Sequence, residues 1–169
     1  YMKILFYGDW ATTGMGRCSK HICEYLHSKE HSLFILGTNY YGEYDQSPCY
    51  DLVFPAHDPR SSDDFLGRDH LCNILMNNPF DVVILHYDYW VFEYPNSFTK
   101  RLLEVKDKHK FKLILVTPVD APIPLSFLSI LKICYLIFTY SKYGLRQLSP
   151  FQSLQEKSFD FNVDKSAAG

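Results

Sequence analysis

Residues 3–8 read KILFYG, and residues 9–17, which follow them, read DWATTGMGR. The first stretch is a nearly continuous apolar run closed by a glycine, which is typical of a strand buried on both faces of a sheet. The second is a glycine-containing loop, and the apolar residues after it recur at helical spacing as far as residue 28. A buried strand, a glycine loop and a helix in this order predict the first unit of a parallel α/β sheet.

The same alternation continues to about residue 148. Further strands are predicted over residues 32–37, 50–55, 81–86, 112–117 and 134–139, and helices over residues 16–28, 63–76, 95–108, 125–131 and 141–148. Strands that alternate with helices imply a parallel sheet with helices on both faces. We therefore predict an α/β, Rossmann-like domain over residues 1–148, with six strands in the order 3-2-1-4-5-6. Residues 149–169 are predicted to be a linker or tail.

Composition excludes several classes of function. The chain has 169 residues with a formal net charge of −2 and no basic block, so no nucleic-acid partner is predicted. Its five cysteines lack C-x-x-C spacing, which disfavours a disulfide framework or zinc site and favours reduced thiols in a cytoplasmic protein. The apolar residues 123–138 include Pro124 and Lys132 and fall short of the ~20 needed to span a bilayer, so no transmembrane segment is predicted.

Candidate site residues follow the ends of the predicted strands. Ligands of open parallel sheets bind outside the carboxyl ends of the strands, where the strand order reverses. Polar and aromatic residues gather at these ends, and the candidates among them and the glycine loop are Gly14, Gly16 and Arg17 after the first strand, His86, Asp88 and Trp90 at the fourth, Asp120 after the fifth, and Ser141 and Lys142 after the sixth.

The glycine loop allows two interpretations. Gly14 and Gly16 precede a helix whose free N–H groups and dipole favour an anion, and Arg17 adds a positive charge that the dipole alone would disfavour. The alternative is a turn that needs glycine, with a solvated arginine. A dinucleotide-binding pattern would have a third glycine where Ser19 stands and an acid at the end of the second strand. A phosphate-binding P-loop would have lysine in place of Arg17. Both motifs are therefore disfavoured.

The other candidates also have a structural alternative each. His86 ends a buried strand and is a general base, a hydrogen-bond donor to a ligand, or a structural histidine. Asp120 lies in a proline-rich stretch that either presents its carboxylate or uses it to cap a turn. Ser141 is suited to cap the following helix. Trp90 and Trp10 each either pack against the protein or stack on a sugar ring.

Four segments together resemble the family 4 glycosyltransferases, which have the two-domain GT-B fold. The segments are residues 3–10 with 13–17, residues 81–90, residues 117–122 and residues 139–144. The resemblance implies that the chain is the N-terminal, acceptor-side half of such an enzyme, and that the C-terminal domain is missing. The Glu-x7-Glu pattern of that family is absent, as expected if it belongs to the other half.

The resemblance also implies a reaction and roles for the candidate residues. A sugar would pass from a nucleotide-sugar donor to a carbohydrate or other hydroxyl acceptor, with retained anomeric configuration and without a metal or cofactor. His86 and Asp120 would be catalytic, and the remaining candidates would bind donor or acceptor. The fragment alone is expected to be inactive. The main alternative is a non-catalytic, Rossmann-like ligand-binding module, and an oxidoreductase is a weaker one.

Overall fold

The computed structural model describes residues 1–61, 63–93, 96–127 and 129–150, and within them six strands form one parallel sheet. The strands are β1 (Lys3–Asp9), β2 (Ser32–Thr38), β3 (Val53–Pro55), β4 (Val82–His86), β5 (Lys112–Val116) and β6 (Leu136–Phe138). The helices are α1 (Gly14–Ser28), α2 (Arg68–Asn77), α3 (Asn96–His109), α4 (Ser129–Ile133) and α5 (Lys142–Leu148). The order β3-β2-β1-β4-β5-β6 confirms the predicted Rossmann-like sheet.

β1 lies at the centre of the sheet and pairs in parallel with both β2 and β4. Phe6, for example, stands opposite Ile35 on one side and Ile84 on the other. Both faces of β1 are buried, which explains why its sequence is apolar at consecutive positions instead of alternating. Each fully buried side chain of this kind contributes roughly 1.5 to 3 kcal/mol to folding.

Helices cover both faces of the sheet, as predicted. On one face, α1 packs through Cys23 against the sheet residues Ile4 and Phe6. On the other face, α2, α3 and α4 pack against residues that include Leu5 and Val83. The core is therefore divided into two layers by the sheet, and the loops at its carboxyl edge are held by elements on both sides.

The predicted strand over residues 50–55 is too long. Tyr50–Leu52 forms a 3-10 turn, because the N–H of Tyr50 bonds to the carbonyl of Ser47 and that of Leu52 to the carbonyl of Cys49. Only Val53–Pro55 pairs with β2, at the edge of the sheet, where a proline without an N–H is tolerated.

The predicted helix over residues 63–76 begins too early. Gly67 has a φ of 64°, a left-handed conformation that ends the preceding loop, and α2 starts at Arg68. A Cβ at this position would lie 2.0 Å from the carbonyl oxygen of Ala56, so glycine is also required sterically. Asp64 accepts the N–H groups of Arg68 and Asp69 in the first turn of α2, and Phe65, which precedes the helix, is 71% exposed.

Smaller differences concern the ends of other elements. The predicted helix over residues 125–131 is a 3-10 turn, Leu125–Phe127, followed by α4. β6 spans only Leu136–Phe138, although Cys134 packs in the core as its apolar context suggested. Pro95 and the tail beyond residue 150 lie outside the described residues.

Two further features of the described residues are the length of the helices and the state of the cysteines. None of the described helices is long and apolar enough to cross a bilayer. All five cysteines are free; Cys18 is exposed on α1, and the other four are buried. Burial raises the pKa of the Cys72 thiol to about 11, which keeps it protonated at neutral pH.

We expect a thiol reagent to modify one cysteine quickly in the folded chain and all five after denaturation without reductant. Burial blocks access and disfavours the reactive thiolate at the four buried positions, whereas Cys18 is accessible. Absorbance of the released chromophore measures the number of thiols and their rates. Cys18→Ser should abolish the fast phase, and fewer than five reactive thiols in the denatured wild-type chain would reveal a disulfide and contradict this expectation.

Candidate functional site

The loop after β1 is held by the carboxylate of Asp9, which is 5% exposed. Its Oδ2 accepts the hydroxyl of Thr13 at 2.6 Å, and its Oδ1 accepts the N–H of Ala11 at 3.0 Å. Thr13 in turn caps α1, because its Oγ1 accepts the N–H of Gly16 at 2.9 Å. Asp9 and Thr13 lie outside the predicted set of site residues, yet they set the geometry of the glycine loop.

The two glycines of this loop have different requirements. A Cβ on Gly16 would lie 1.9 Å from the carbonyl oxygen of Ala11, so this position must be glycine for α1 to pack against the loop. A Cβ on Gly14 would meet nothing within 4 Å. Gly14 therefore has no steric reason within the chain to be glycine. It begins α1 on the exposed surface, close to the exposed Arg17.

His86 ends β4 and is completely buried. Its Nδ1 lies 2.7 Å from the hydroxyl oxygen of Ser19 on α1, and its Nε2 forms a hydrogen bond with the hydroxyl of Tyr140. Tyr140 is half-exposed, so its phenol lies at the surface next to the imidazole. The structure thus places His86 at the predicted edge of the sheet, but behind a tyrosine instead of open to solvent.

Burial sets the protonation of these groups. It lowers the pKa of His86 to about 4, a shift that the negative charge of Asp9 opposes, and it raises the pKa of the Tyr140 phenol. Both groups are therefore neutral at pH 7. In a neutral imidazole one nitrogen donates and the other accepts, so the hydroxyls of Ser19 and Tyr140 satisfy both ring nitrogens.

Ser19 occupies the position where a dinucleotide-binding pattern has its third glycine. A Cβ added to Gly8 of β1 would lie 3.0 Å from the Ser19 hydroxyl oxygen and 3.1 Å from the His86 carbonyl oxygen. The small residues at these positions let α1 approach the sheet closely. The residue that argues against a dinucleotide site is therefore the one that binds the candidate catalytic histidine.

The predicted acidic and aromatic residues beyond β4 and β5 lie near one another. Burial raises the pKa of Asp88, and the nearby charge of Asp120 adds to this rise. Trp90 lies in the 3-10 turn Tyr89–Phe92 and is 53% exposed. This part of the predicted site is brought together by the fold.

The structure confirms the prediction that Ser141 caps the following helix. Its hydroxyl oxygen accepts the N–H of Gly144 at 3.0 Å and thereby caps α5. A role for Ser141 in binding stays a prediction, as does one for the neighbouring Lys142, which is exposed.

A pocket of about 310 Å³ lies beside the glycine loop, between the loops that follow β1 and β2. Its lining includes Trp10, which is a candidate for stacking on a sugar ring, and Asn39, Glu43 and Tyr44, which do not belong to the predicted site. Among the described residues, no group of three or more His, Cys, Asp or Glu side chains is arranged to hold a metal ion.

The described structure is similar to solved α-glucosyltransferases with the GT-B fold. One, in complex with UDP and a 13-mer DNA containing an HMU base, gives a TM-score of 0.51 at 10% sequence identity, over 90% of this chain and 39% of that chain. Another, in complex with UDP, gives 0.50 at 10% identity, over 97% and 41%. The chain has a glycosyltransferase-like fold. It spans about two-fifths of the length of these proteins. No protein-family model matches the sequence, and no curated protein sequence does.

The two glycines provide a matched pair of substitutions. Gly16→Ala should lower the free energy of unfolding by several kcal/mol, because its methyl group would overlap the Ala11 carbonyl. Gly14→Ala should leave it unchanged or raise it by up to about 1 kcal/mol, since alanine is the better helix former. Urea denaturation of both variants measures the difference, and equal stabilities would show that α1 does not pack as described.

The buried imidazole should make stability depend on pH. The unfolded histidine titrates near 6.5 and the folded one near 4, so between these values the unfolded state binds more protons. The contribution of His86 to the free energy of unfolding should therefore fall by about 2 to 3 kcal/mol as pH drops from 7 to 4. Urea denaturation of the wild type and His86→Gln across this range isolates the effect, and identical pH dependences would contradict it.

Proposed function

We propose that residues 1–148 are the acceptor-side domain of a family 4 type glycosyltransferase, and that residues 149–169 lead into a second domain. The full enzyme would be cytoplasmic and would transfer a hexose from a nucleotide sugar to a hydroxyl acceptor. The observation that supports this best is the position of the glycine loop and of His86 at the carboxyl ends of β1 and β4, the adjacent strands between which the strand order reverses. The fold shared with UDP-bound α-glucosyltransferases supports it further.

The donor diphosphate would lie at the start of α1. The N–H groups and dipole of a helix N-terminus favour phosphate, and Gly14 leaves space for a close approach. Arg17 in the first turn supplies a positive charge, and Ser141 and Lys142 at the start of α5 would complete this side. UDP-linked hexose is the first donor to test, because the similar α-glucosyltransferases are described in complex with UDP.

The sugar would lie between the loops that follow β4 and β5. The bond from its anomeric carbon to the diphosphate breaks, the acceptor oxygen bonds to the same face of that carbon, and the acceptor proton passes to the departing diphosphate. Neutral His86 would hydrogen-bond the sugar when Tyr140 turns aside, with Asp120 near the acceptor and Asp88 and Trp90 along the ring. This retaining reaction needs no metal or cofactor besides the nucleotide sugar.

A non-catalytic binding module is the competing function. It is favoured by the two hydrogen bonds of His86, since a buried histidine with both nitrogens satisfied is what a purely structural role requires. The two functions predict different effects when this imidazole is removed. A catalytic role predicts a loss of turnover, whereas a purely structural role predicts a loss of stability.

His86→Ala in the natural full-length polypeptide should lower kcat by about 100-fold or more, the typical loss when a transition-state hydrogen bond is removed. Sugar transfer from UDP-hexose, followed by mass spectrometry of the acceptor, measures activity, and thermal unfolding measures stability. Gly14→Ala is the control for donor binding and should raise KM for the nucleotide sugar. A His86→Ala variant that is destabilised but fully active would assign the histidine to structure, and tight binding of NAD by the wild type would contradict the transferase.

A further inference from the structure

The pocket beside the glycine loop lies on the side of β1 that faces β2, away from His86 on β4. Trp10 contributes from the loop after β1, and Asn39, Glu43, Tyr44 and Asp45 from the loop after β2. Its volume of about 310 Å³ is at the lower end of the range for small-molecule sites. Carboxylates, an amide and aromatic rings thus surround one cavity at the carboxyl edge of the sheet.

The inner wall of this pocket is fixed by Asp45. Its Oδ2 accepts the indole N–H of Trp10 at 2.6 Å, and its Oδ1 accepts the N–H of Ser47 at 2.7 Å. The Nζ of Lys20 lies 3.8 Å from Oδ2 and 5.7 Å from the centre of the Trp10 ring. These contacts fix the wall through groups of the protein itself, and the charge of Lys20 is matched by Asp45.

Glu43 presents a second carboxylate. The turn before it depends on Gly42, whose φ of 98° suits glycine, and it brings the N–H of Tyr41 to 2.9 Å from Glu43 Oε2. Hydrogen bonds from the backbone N–H groups of Tyr41 and Glu43 lower the pKa of Glu43. The side chain is therefore ionised at neutral pH and oriented at the surface, where a carboxylate is a strong acceptor for hydroxyl groups.

Tyr44 adds an aromatic surface next to this carboxylate. Its ring is 77% exposed and is held edge-on against Tyr50, with 5.1 Å between the ring centres. An aromatic ring beside a carboxylate and the amide of Asn39 suits a sugar ring, whose C–H face packs on the aromatic side chain while its hydroxyls donate to the oxygens.

The charges of the pocket disfavour anions. Its lining has the carboxylates of Glu43 and Asp45 and the ammonium of Lys20, and the ammonium is already paired with Asp45. A phosphate or carboxylate in the pocket would thus face a net negative charge, and like charges in contact oppose binding.

We propose that this pocket is the acceptor subsite and that it takes a neutral saccharide instead of an anionic acceptor such as DNA. The role of the pocket as an acceptor subsite rests on the proposed transferase function, whereas its binding of a saccharide does not. Asn39 connects the pocket to the donor side, since its Nδ2 lies 3.3 Å from Asp9 Oδ1 and 3.4 Å from the Tyr87 hydroxyl. Asp9 also holds the glycine loop, so a sugar in the pocket would border the place proposed for the donor phosphates.

Titration of the 169-residue chain with neutral methyl glycosides and disaccharides of the gluco, galacto and manno series tests the site. Backbone amide shifts are expected in residues 10–12 and 39–45. Glu43→Gln and Tyr44→Ala should each weaken binding roughly tenfold, the loss of one strong contact. Tyr41→Ala is the matched control, because Tyr41 is also exposed, at 70%, but does not line the pocket. Thermal unfolding should be unchanged in all three variants.

Two results would overturn the saccharide site: no shifts in these residues with any sugar up to its solubility limit, or binding of a 13-mer DNA that Glu43→Gln weakens. Transfer assays on the natural full-length polypeptide separate this failure from that of the proposed function. Saccharide binding without transfer from any nucleotide sugar would leave the site standing and remove the transferase. Transfer to DNA without saccharide binding would support the transferase and remove the saccharide site.

Discussion

The close approach of α1 to the centre of the sheet is the constraint on which the rest of the site depends. Gly16 lies directly against the Ala11 carbonyl, and Ser19 lies next to Gly8 of β1. A larger side chain at either glycine would push the helix away. At this separation the Thr13 cap reaches Asp9, and Ser19 reaches His86. These two packing contacts therefore set both the glycine loop and the orientation of the buried imidazole.

The carboxyl edge of the sheet is charged differently on the two sides of β1. Toward β2, the ionised Glu43 and the paired Asp45 leave the surface negative. Beyond β4 and β5, the carboxylates of Asp88 and Asp120 lie at the same edge as two exposed cations, Arg17 in the first turn of α1 and Lys142 at the start of α5. Under the proposed function, the donor diphosphate would depend on the N-terminus of α1 and these cations, and the negative surface toward β2 would disfavour it.

The strand order could be predicted because the apolar runs are short, continuous and separated by helices, and topology rules leave few arrangements for such a pattern. The predicted start of α2 was wrong because one glycine with a left-handed backbone conformation, Gly67, interrupts the helical spacing of the residues before it. In the site, His86 and Asp120 were predicted from their positions at strand ends, and their roles stay predictions. The hydrogen bonds of His86 with Ser19 and Tyr140 could not be predicted, because these residues are 67 and 54 positions away in sequence and only tertiary packing brings them together.

The central position of β1 also affects how the chain is made. β1 is the first strand in the sequence, yet its second neighbour, β4, begins at Val82, 44 residues after β2 ends at Thr38. A ribosome needs roughly a few seconds to add that many residues. Throughout this interval one edge of an apolar strand has no partner, and such edges pair readily with other chains. The nascent polypeptide is thus open to misassociation through this edge until Val82–His86 has been added, and a chaperone that covers the edge would protect it at that stage.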